Sequence, residues 1–217
     1  MEYISRIIAL TLLFIFLPLI IIIIFFSLTF QGSPVIFSHK RIGYKFERFN
    51  LYKFRTMKNL NSNQYITYPN DQRITRWGKY LRLSKFDEIP QLINIFFGQM
   101  RFVGPRPEVE KYVNKDDFFF MNDIKPGITD LSSIFFRNEN KIINKIGGVK
   151  NYPILLKYKI ELCKIYAKKK SFNFDLSLVF LTLISIVLPK FSQNQIMKII
   201  INENKISLSN DLKKLIL

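Results

Sequence analysis

Two adjacent carboxylates in an apolar frame, Phe86-Asp87-Glu88-Ile89-Pro90-Gln91, are the residues of this chain best suited to chemistry. A carboxylate serves as a nucleophile where the product is an acyl phosphate. Its neighbour, about 100° further round a helix, must take a different task, holding a cation or managing a proton. Further on, Gly104-Pro105-Arg106-Pro107 fixes one guanidinium between two prolines, which suits bidentate binding of phosphate. Arg82, Lys85, Arg101 and Arg106 surround the acids in sequence and are expected to keep Asp87 ionised. A diphosphate substrate would bring Mg²⁺, whose few protein ligands are typically carboxylates, so Asp87 and Glu88 are also the candidate metal ligands. The plainer reading makes Asp87 a helix N-cap and Glu88 a first-turn acid favoured by the helix dipole. The apolar frame, the cations and the rigid arginine turn together favour chemistry over capping.

The elements that must position these residues are partly legible. Arg73 to Leu83 has helical spacing, with Ile74, Trp77, Tyr80 and Leu81 on one side and Arg76, Lys79 and Arg82 on the other. Those cations fit a solvated face and phosphate or lipid contact equally well. A second helix is expected to start at Asp87, tolerate Pro90 in its first turn and stop at Gly98. Val35-Ile36-Phe37 and the run from Phe49 to Phe54 read as short strands around a turn at Gly43, and Lys125-Pro126-Gly127-Ile128-Thr129 as another turn. The polar, Asn-rich stretch from Leu60 to Asp71 reads as a mobile loop. Tyr152 to Lys170 predicts a basic amphipathic helix. Leu176 to Leu188 is apolar but too short to span a bilayer, so it belongs to the core or to a membrane interface.

The N-terminal segment carries no charged side chain from Ile7 to Ser38. Ile7 to Phe30 meets the roughly 20 apolar residues that a spanning helix needs. It is longer than a signal-peptide core and lacks a small-residue cleavage site, so it is expected to be retained. Pro18 sits near its middle, removes a backbone donor and clashes with the preceding turn, predicting a kink. A straight span and a re-entrant hairpin both satisfy these constraints. Lys40, Arg41, Lys45, Arg48, Lys53 and Arg55 crowd the C-terminal flank and assign that side to the cytoplasm.

Bulk properties narrow the function classes. The chain of 217 residues suits one domain with a real core, and its formal net charge of +17 lies almost wholly outside the apolar segment. Such a charge favours anionic partners, and the membrane segment and acid pair favour lipid headgroups and phosphorylated substrates over nucleic acid. One cysteine, Cys163, excludes an intrachain disulfide, and one histidine, His39, excludes a two-histidine zinc site. No phosphate-loop or dinucleotide-binding glycine string occurs.

With these residues in view, the sequence resembles the bacterial sugar transferase family, the small monotopic polyprenyl-phosphate phosphoglycosyl transferases. The blocks that carry the resemblance run from Gly32-Ser33-Pro34-Val35-Ile36-Phe37 through Lys40-Arg41-Ile42-Gly43, Tyr52-Lys53-Phe54-Arg55-Thr56-Met57 and Asp71-Gln72-Arg73-Ile74-Thr75-Arg76-Trp77-Gly78. They continue through Phe86 to Asn94, Val103-Gly104-Pro105-Arg106-Pro107-Glu108 and Lys125 to Thr129. The resemblance implies an α+β, mainly helical fold: a re-entrant membrane helix over residues 1–31, a small catalytic domain with short strands and amphipathic interfacial helices over 32–189, and a tail over 190–217.

It further implies transfer of a sugar-1-phosphate from a UDP-sugar to undecaprenyl phosphate, with release of UMP, at the cytoplasmic face of a bacterial inner membrane. Such a reaction initiates a membrane-linked glycan. Asp87 would form a covalent phosphoglycosyl-aspartate, and Glu88 would assist with Mg²⁺ and the proton. Lys53, Arg55, Thr56, Arg73, Arg82, Arg106, Thr129 and Arg137 are the expected substrate contacts. Gln99, Arg101 and the run Asp130-Leu131-Ser132-Ser133 depart from the family pattern, as does the missing acid near Ile8-Ala9. The competing readings are a membrane-anchored basic module binding lipid or nucleic acid without catalysis, and a glycosyltransferase that moves sugar without phosphate.

Overall fold

A computed structural model of the chain describes residues 2–58, 67 and 71–216. The loop expected from Leu60 to Asp71 lies mostly outside the described residues. The architecture is mainly helical with two small sheets.

The apolar segment forms two helices, α1 (Glu2–Ile15) and α2 (Leu17–Gln31), bent by 60° where they meet. The break falls at Phe16, and Pro18 occupies the first turn of α2, where a missing N–H costs nothing. The proline ring is incompatible with helix running straight through the preceding turn, so α1 ends just before it. Among the described residues no single helix is long and apolar enough to cross a membrane; only the bent pair together meets that length and composition. Ala9, Leu12, Leu13 and Phe16 pack against Leu92, Ile95 and Met100, while Leu19, Ile20 and Ile23 pack against Phe54, Leu81 and Trp77. Trp77 Nε1 donates to the buried Ser27 Oγ at 2.9 Å, satisfying a hydroxyl inside an otherwise apolar helix. Tyr3, Ile7, Phe14, Ile21, Phe25 and Phe30 remain exposed.

The strands β1 (Ile36–Ile42) and β2 (Arg48–Phe54) pair antiparallel, with Phe37 opposite Lys53 and Arg41 opposite Phe49. Pairing alternates faces, so Phe37, His39, Arg41 and Lys53 share one side of the hairpin. β1 runs further than the apolar triplet suggested because cross-strand partners carry it through Lys40 and Arg41.

Helix α3 (Arg76–Ser84) starts where Thr75 caps it, its hydroxyl accepting from Gly78 N at 2.8 Å. It ends at Lys85 in the left-handed region, φ 62°. The expected continuation differs: Phe86–Glu88 is a single 3₁₀ turn, and α4 (Gln91–Phe96) begins only after Pro90. Asp87 is therefore not a helix N-cap. Proline favours a helix start over a helix interior, and here it defers that start past the acids. Gly98, at φ 74°, does terminate α4.

The parallel pair β3 (Arg101–Val103) and β4 (Gly127–Thr129) puts Val103 opposite Thr129. Pro126 and Gly127 thus turn directly into a strand. The approach requires glycine: a Cβ on Gly127 would lie 2.2 Å from Gly104 N. The remaining helices are α5 (Leu131–Phe135), α6 (Glu139–Lys145), α7 (Tyr152–Lys169), α8 (Phe172–Val187), α9 (Pro189–Asn202) and α10 (Ile206–Ile216). Leu155, Leu162 and Tyr166 of α7 centre the main core, joined by Phe135, Ile143 and Leu178. Ile196 and Ile200 of α9 and Leu212 of α10 are fully buried in the same core. Helix α8 reaches the core through Leu178, while Phe172, Leu176, Phe180, Leu183 and Val187 form an exposed stripe.

Candidate active site

The left-handed Lys85 turns the chain out of α3, and the 3₁₀ turn then directs Asp87 inward. Asp87 is only 7 % exposed, and its Oδ1 is buried without a hydrogen-bond partner among the described residues. Burial pushes its carboxyl above the usual aspartate range against the pull of Lys53, and the neighbouring Glu88 charge adds to the rise. Lys53, Lys85 and Arg82 do favour the ionised form, as expected of cations around this acid, against a larger opposing effect of burial.

Glu88 has the opposite environment. Its Oε1 accepts from Lys53 Nζ at 2.8 Å and from Arg106 Nη2 at 2.8 Å. Burial alone would raise its pKa, but Arg106, Lys53 and Lys85 overcome this and hold the carboxyl well below its ordinary value. Arg106 is raised in return by the Glu88 charge, whereas burial lowers the Lys53 ammonium despite the same partner. Two adjacent carboxylates are thus driven apart in pKa, Asp87 raised by burial and Glu88 lowered by its paired cations. The arginine turn is fixed by Gly104 N donating to Thr129 O at 3.0 Å and Gly127 N donating to Pro105 O at 3.0 Å.

The other expected contacts divide. Lys53 and Arg106 touch Glu88 directly. Arg82 Nε donates to Thr56 Oγ1 at 2.8 Å; the Asp87 charge acts on Arg82, whose pKa burial lowers. Arg137 donates to Ser185 Oγ at 3.3 Å and lies within electrostatic reach of Glu88. Arg55, by contrast, is spent on the backbone: it donates to the carbonyls of Gln31, Gly32 and Ser33 at the end of α2. Arg73 pairs with the buried Asp71 at 2.6 Å. Thr129 Oγ1 lies 2.6 Å from Thr182 Oγ1, joining β4 to α8.

Sequence reasoning missed a buried ionic cluster next to the arginine turn. Lys159 Nζ donates to Glu108 Oε1 at 3.2 Å, Glu139 Oε1 at 3.1 Å and Tyr152 OH at 3.1 Å. Arg41 Nη1 lies 3.8 Å from Glu108 Oε2. The signal was present: Lys159 falls in line with Leu155, Leu162 and Tyr166 on the apolar stripe of α7, where a cation requires partners.

The departures also acquire local reasons. Asp130 caps α5, accepting from Ser133 N at 2.7 Å while Ser133 Oγ accepts from Asp130 N at 2.8 Å. Gln99 Oε1 accepts from Asn94 Nδ2 at 2.7 Å, and Arg101 lies 3.7 Å from Asp175.

Comparison with known proteins agrees with this arrangement. The family model described as bacterial sugar transferase matches residues 2–189. The chain is 32% identical over 173 residues to a UDP-glucose:undecaprenyl-phosphate glucose-1-phosphate transferase of Klebsiella pneumoniae, covering 76% of this chain and 35% of the relative. It is 36% identical over 141 residues to an undecaprenyl-phosphate galactose phosphotransferase of Salmonella typhimurium, covering 55% of this chain and 29% of the relative. It is also 36% identical over 138 residues to the uncharacterized sugar transferase EpsL of Bacillus subtilis, covering 61% of this chain and 68% of the relative. The chain thus spans about a third of the length of the first two relatives and about two thirds of the third. The match extends through the bent helix pair, the acid pair and the arginine turn, and the chain belongs to the bacterial sugar transferase family.

Proposed function

We propose that this chain transfers a sugar-1-phosphate from a UDP-sugar to undecaprenyl phosphate and releases UMP. The observation that carries this reading is the buried, unpartnered Asp87 Oδ1 beside a Glu88 that anchors two cations. In the first step Asp87 attacks the β-phosphorus of the nucleotide-sugar. An O–P bond forms to the aspartate, and the bond from that phosphorus to the UMP oxygen breaks. In the second step an oxygen of the lipid phosphate attacks the same phosphorus and returns Asp87 as a carboxylate. Desolvation makes Asp87 more reactive than a solvated carboxylate, because less hydration is stripped on attack.

Glu88 is held too acidic to carry a proton near neutral pH, so its part is to fix Lys53 and Arg106 against the diphosphate. Arg82 and Arg137 add positive potential at the pair. Mg²⁺ fits these residues. Among the described residues no cluster of three or more His, Cys, Asp or Glu could hold a metal by itself. Mg²⁺, however, commonly uses one or two carboxylates and takes its remaining ligands from water and substrate phosphates. Asp87 and Glu88 would hold it, and when bound it would neutralise charge on the diphosphate.

The bent α1–α2 pair, with Ile21, Phe25 and Phe30 outward, supports a re-entrant anchor in the cytoplasmic membrane. The catalytic residues then lie on the cytoplasmic face, in reach of UDP-sugar, lipid phosphate and membrane lipids. The experiment is direct: purified chain given UDP-sugar alone should release UMP up to about one equivalent, and turn over only with lipid phosphate present. Asp87→Asn should abolish both while membrane binding persists. UDP as the leaving nucleotide would identify a glycosyltransferase instead, and absence of any turnover would identify a binding module.

A further inference from the structure

Lys159 is 5 % exposed, and all three of its donor hydrogens have acceptors: Glu108, Glu139 and the Tyr152 hydroxyl. Glu108 follows the arginine turn directly and is tied to the hairpin by Ile42 N donating to Glu108 O at 3.1 Å. Tyr152 OH donates to the same Glu108 Oε1 at 3.1 Å, and Arg41 faces the other carboxylate oxygen. The cluster therefore balances, with Arg41 and Lys159 against Glu108 and Glu139.

A buried ionic cluster of this kind is weak support for stability, since desolvation offsets most of the attraction. Its position suggests a different use. Arg106 feels three carboxylates, Glu88 most strongly and Glu139 and Glu108 after it. It also repels Arg41. The arginine turn thus lies within electrostatic reach of two sets of acids, Glu88 with its direct ion pair and Glu108 and Glu139 beside Lys159.

We propose that Lys159 is a positioning residue for Arg106: it occupies the carboxylates of Glu108 and Glu139 so that the guanidinium stays on Glu88. Without the ammonium, Glu139 and Glu108 compete for Arg106 and draw it from the acid pair. The role rests on the phosphoryl-transfer reading for its effect on turnover, but the geometry it asserts is independent of that reaction.

The test has a readout for each. In the full chain carrying ¹⁵N-arginine, the Arg106 Nε–H signal, assigned through Arg106→Lys, should move in Lys159→Met and return towards its wild-type position in Lys159→Met/Glu139→Gln. The double variant removes one charge of each sign and leaves the Arg41–Glu108 pair intact. Lys159→Arg should leave the signal near wild type. In the UMP-release assay kcat/KM should fall about tenfold to a hundredfold in Lys159→Met, as expected for a misplaced catalytic group, and recover in the double variant. Should Lys159→Met not fold, Lys159→Gln, which keeps a donor but no charge, carries the same comparison. An Arg106 signal that stays put, or a double variant no better than the single one, would overturn the proposal. A wild-type chain that releases no UMP removes the reaction and leaves the spectroscopic test standing.

Discussion

Glu88 Oε1 and Arg106 Nη2 lie 2.8 Å apart, and Lys53 Nζ reaches the same carboxylate oxygen at the same distance. One largely buried acid therefore holds two cations from different elements, β2 and the turn after β3, next to Asp87 in the chain. Removing that acid leaves Lys53 and Arg106 facing each other in a poorly solvated site. Glu88→Gln should cost about 3–5 kcal/mol of stability, the usual penalty for orphaning a buried charge. Chemical denaturation in detergent micelles measures it; an unchanged midpoint would contradict the electrostatic role given to Glu88.

His39 is the only imidazole in the chain, and burial, with Arg41 and Lys53 nearby, lowers its pKa to about 4. The folded value lies below the ordinary one of about 6.5, so neutral His39 is what the fold prefers. The stability this contributes is present above the unfolded pKa and is lost as pH falls through the folded one, between about 6.5 and about 4. A single histidine ring signal followed by NMR reads the titration without assignment. A midpoint near 6.5 would show that the Arg41–Lys53 side of the hairpin is solvated.

Gly127 allows β4 to approach the arginine turn closely. Its substitution by alanine would set a Cβ 2.2 Å from Gly104 N and 2.6 Å from the Val103 carbonyl carbon, all backbone atoms. Neither partner can rotate away, so Gly127→Ala should destabilise by at least about 1–3 kcal/mol and shift Arg106 with the turn. Thermal unfolding and UMP release, measured together, should both report the loss.

Asp130 caps α5 and also accepts from Ser132 Oγ at 2.8 Å and from the Cys163 thiol at 3.4 Å. Asp130→Ala removes the cap, worth about 1 kcal/mol, and strands buried donors at a further cost of about 1–3 kcal/mol. Asp130→Asn keeps an acceptor for Ser133 N and should lose less. Equal losses in the two variants would mean that charge rather than capping sustains the run from Asp130 to Ser133.

Signals carried within one turn of chain were legible in the sequence. Gly98 stops α4 because φ is positive there, α7 follows the apolar period from Tyr152 to Lys169, and the bend before Pro18 follows from the proline ring. The acid pair and the arginine turn were likewise readable, because residue type and spacing alone restrict what they can do. Local reasoning erred where two local rules competed, as when Asp87 suited an N-cap but Pro90 delayed the helix past it.

Tertiary structure alone decided the rest. The parallel pairing of β3 with β4 joins residues far apart in sequence, and no periodicity announces it. The seating of α9 and α10 in the main core depends on which apolar faces remain open once α5, α7 and α8 have packed. Above all, Asp87 and Glu88 are neighbours with the same functional group, and sequence assigns them nearly the same charge environment. Only folding buries Asp87 Oδ1 without a hydrogen-bond partner among the described residues while delivering Lys53 and Arg106 to Glu88, because desolvation and ion pairing depend on distances that the order of residues does not contain.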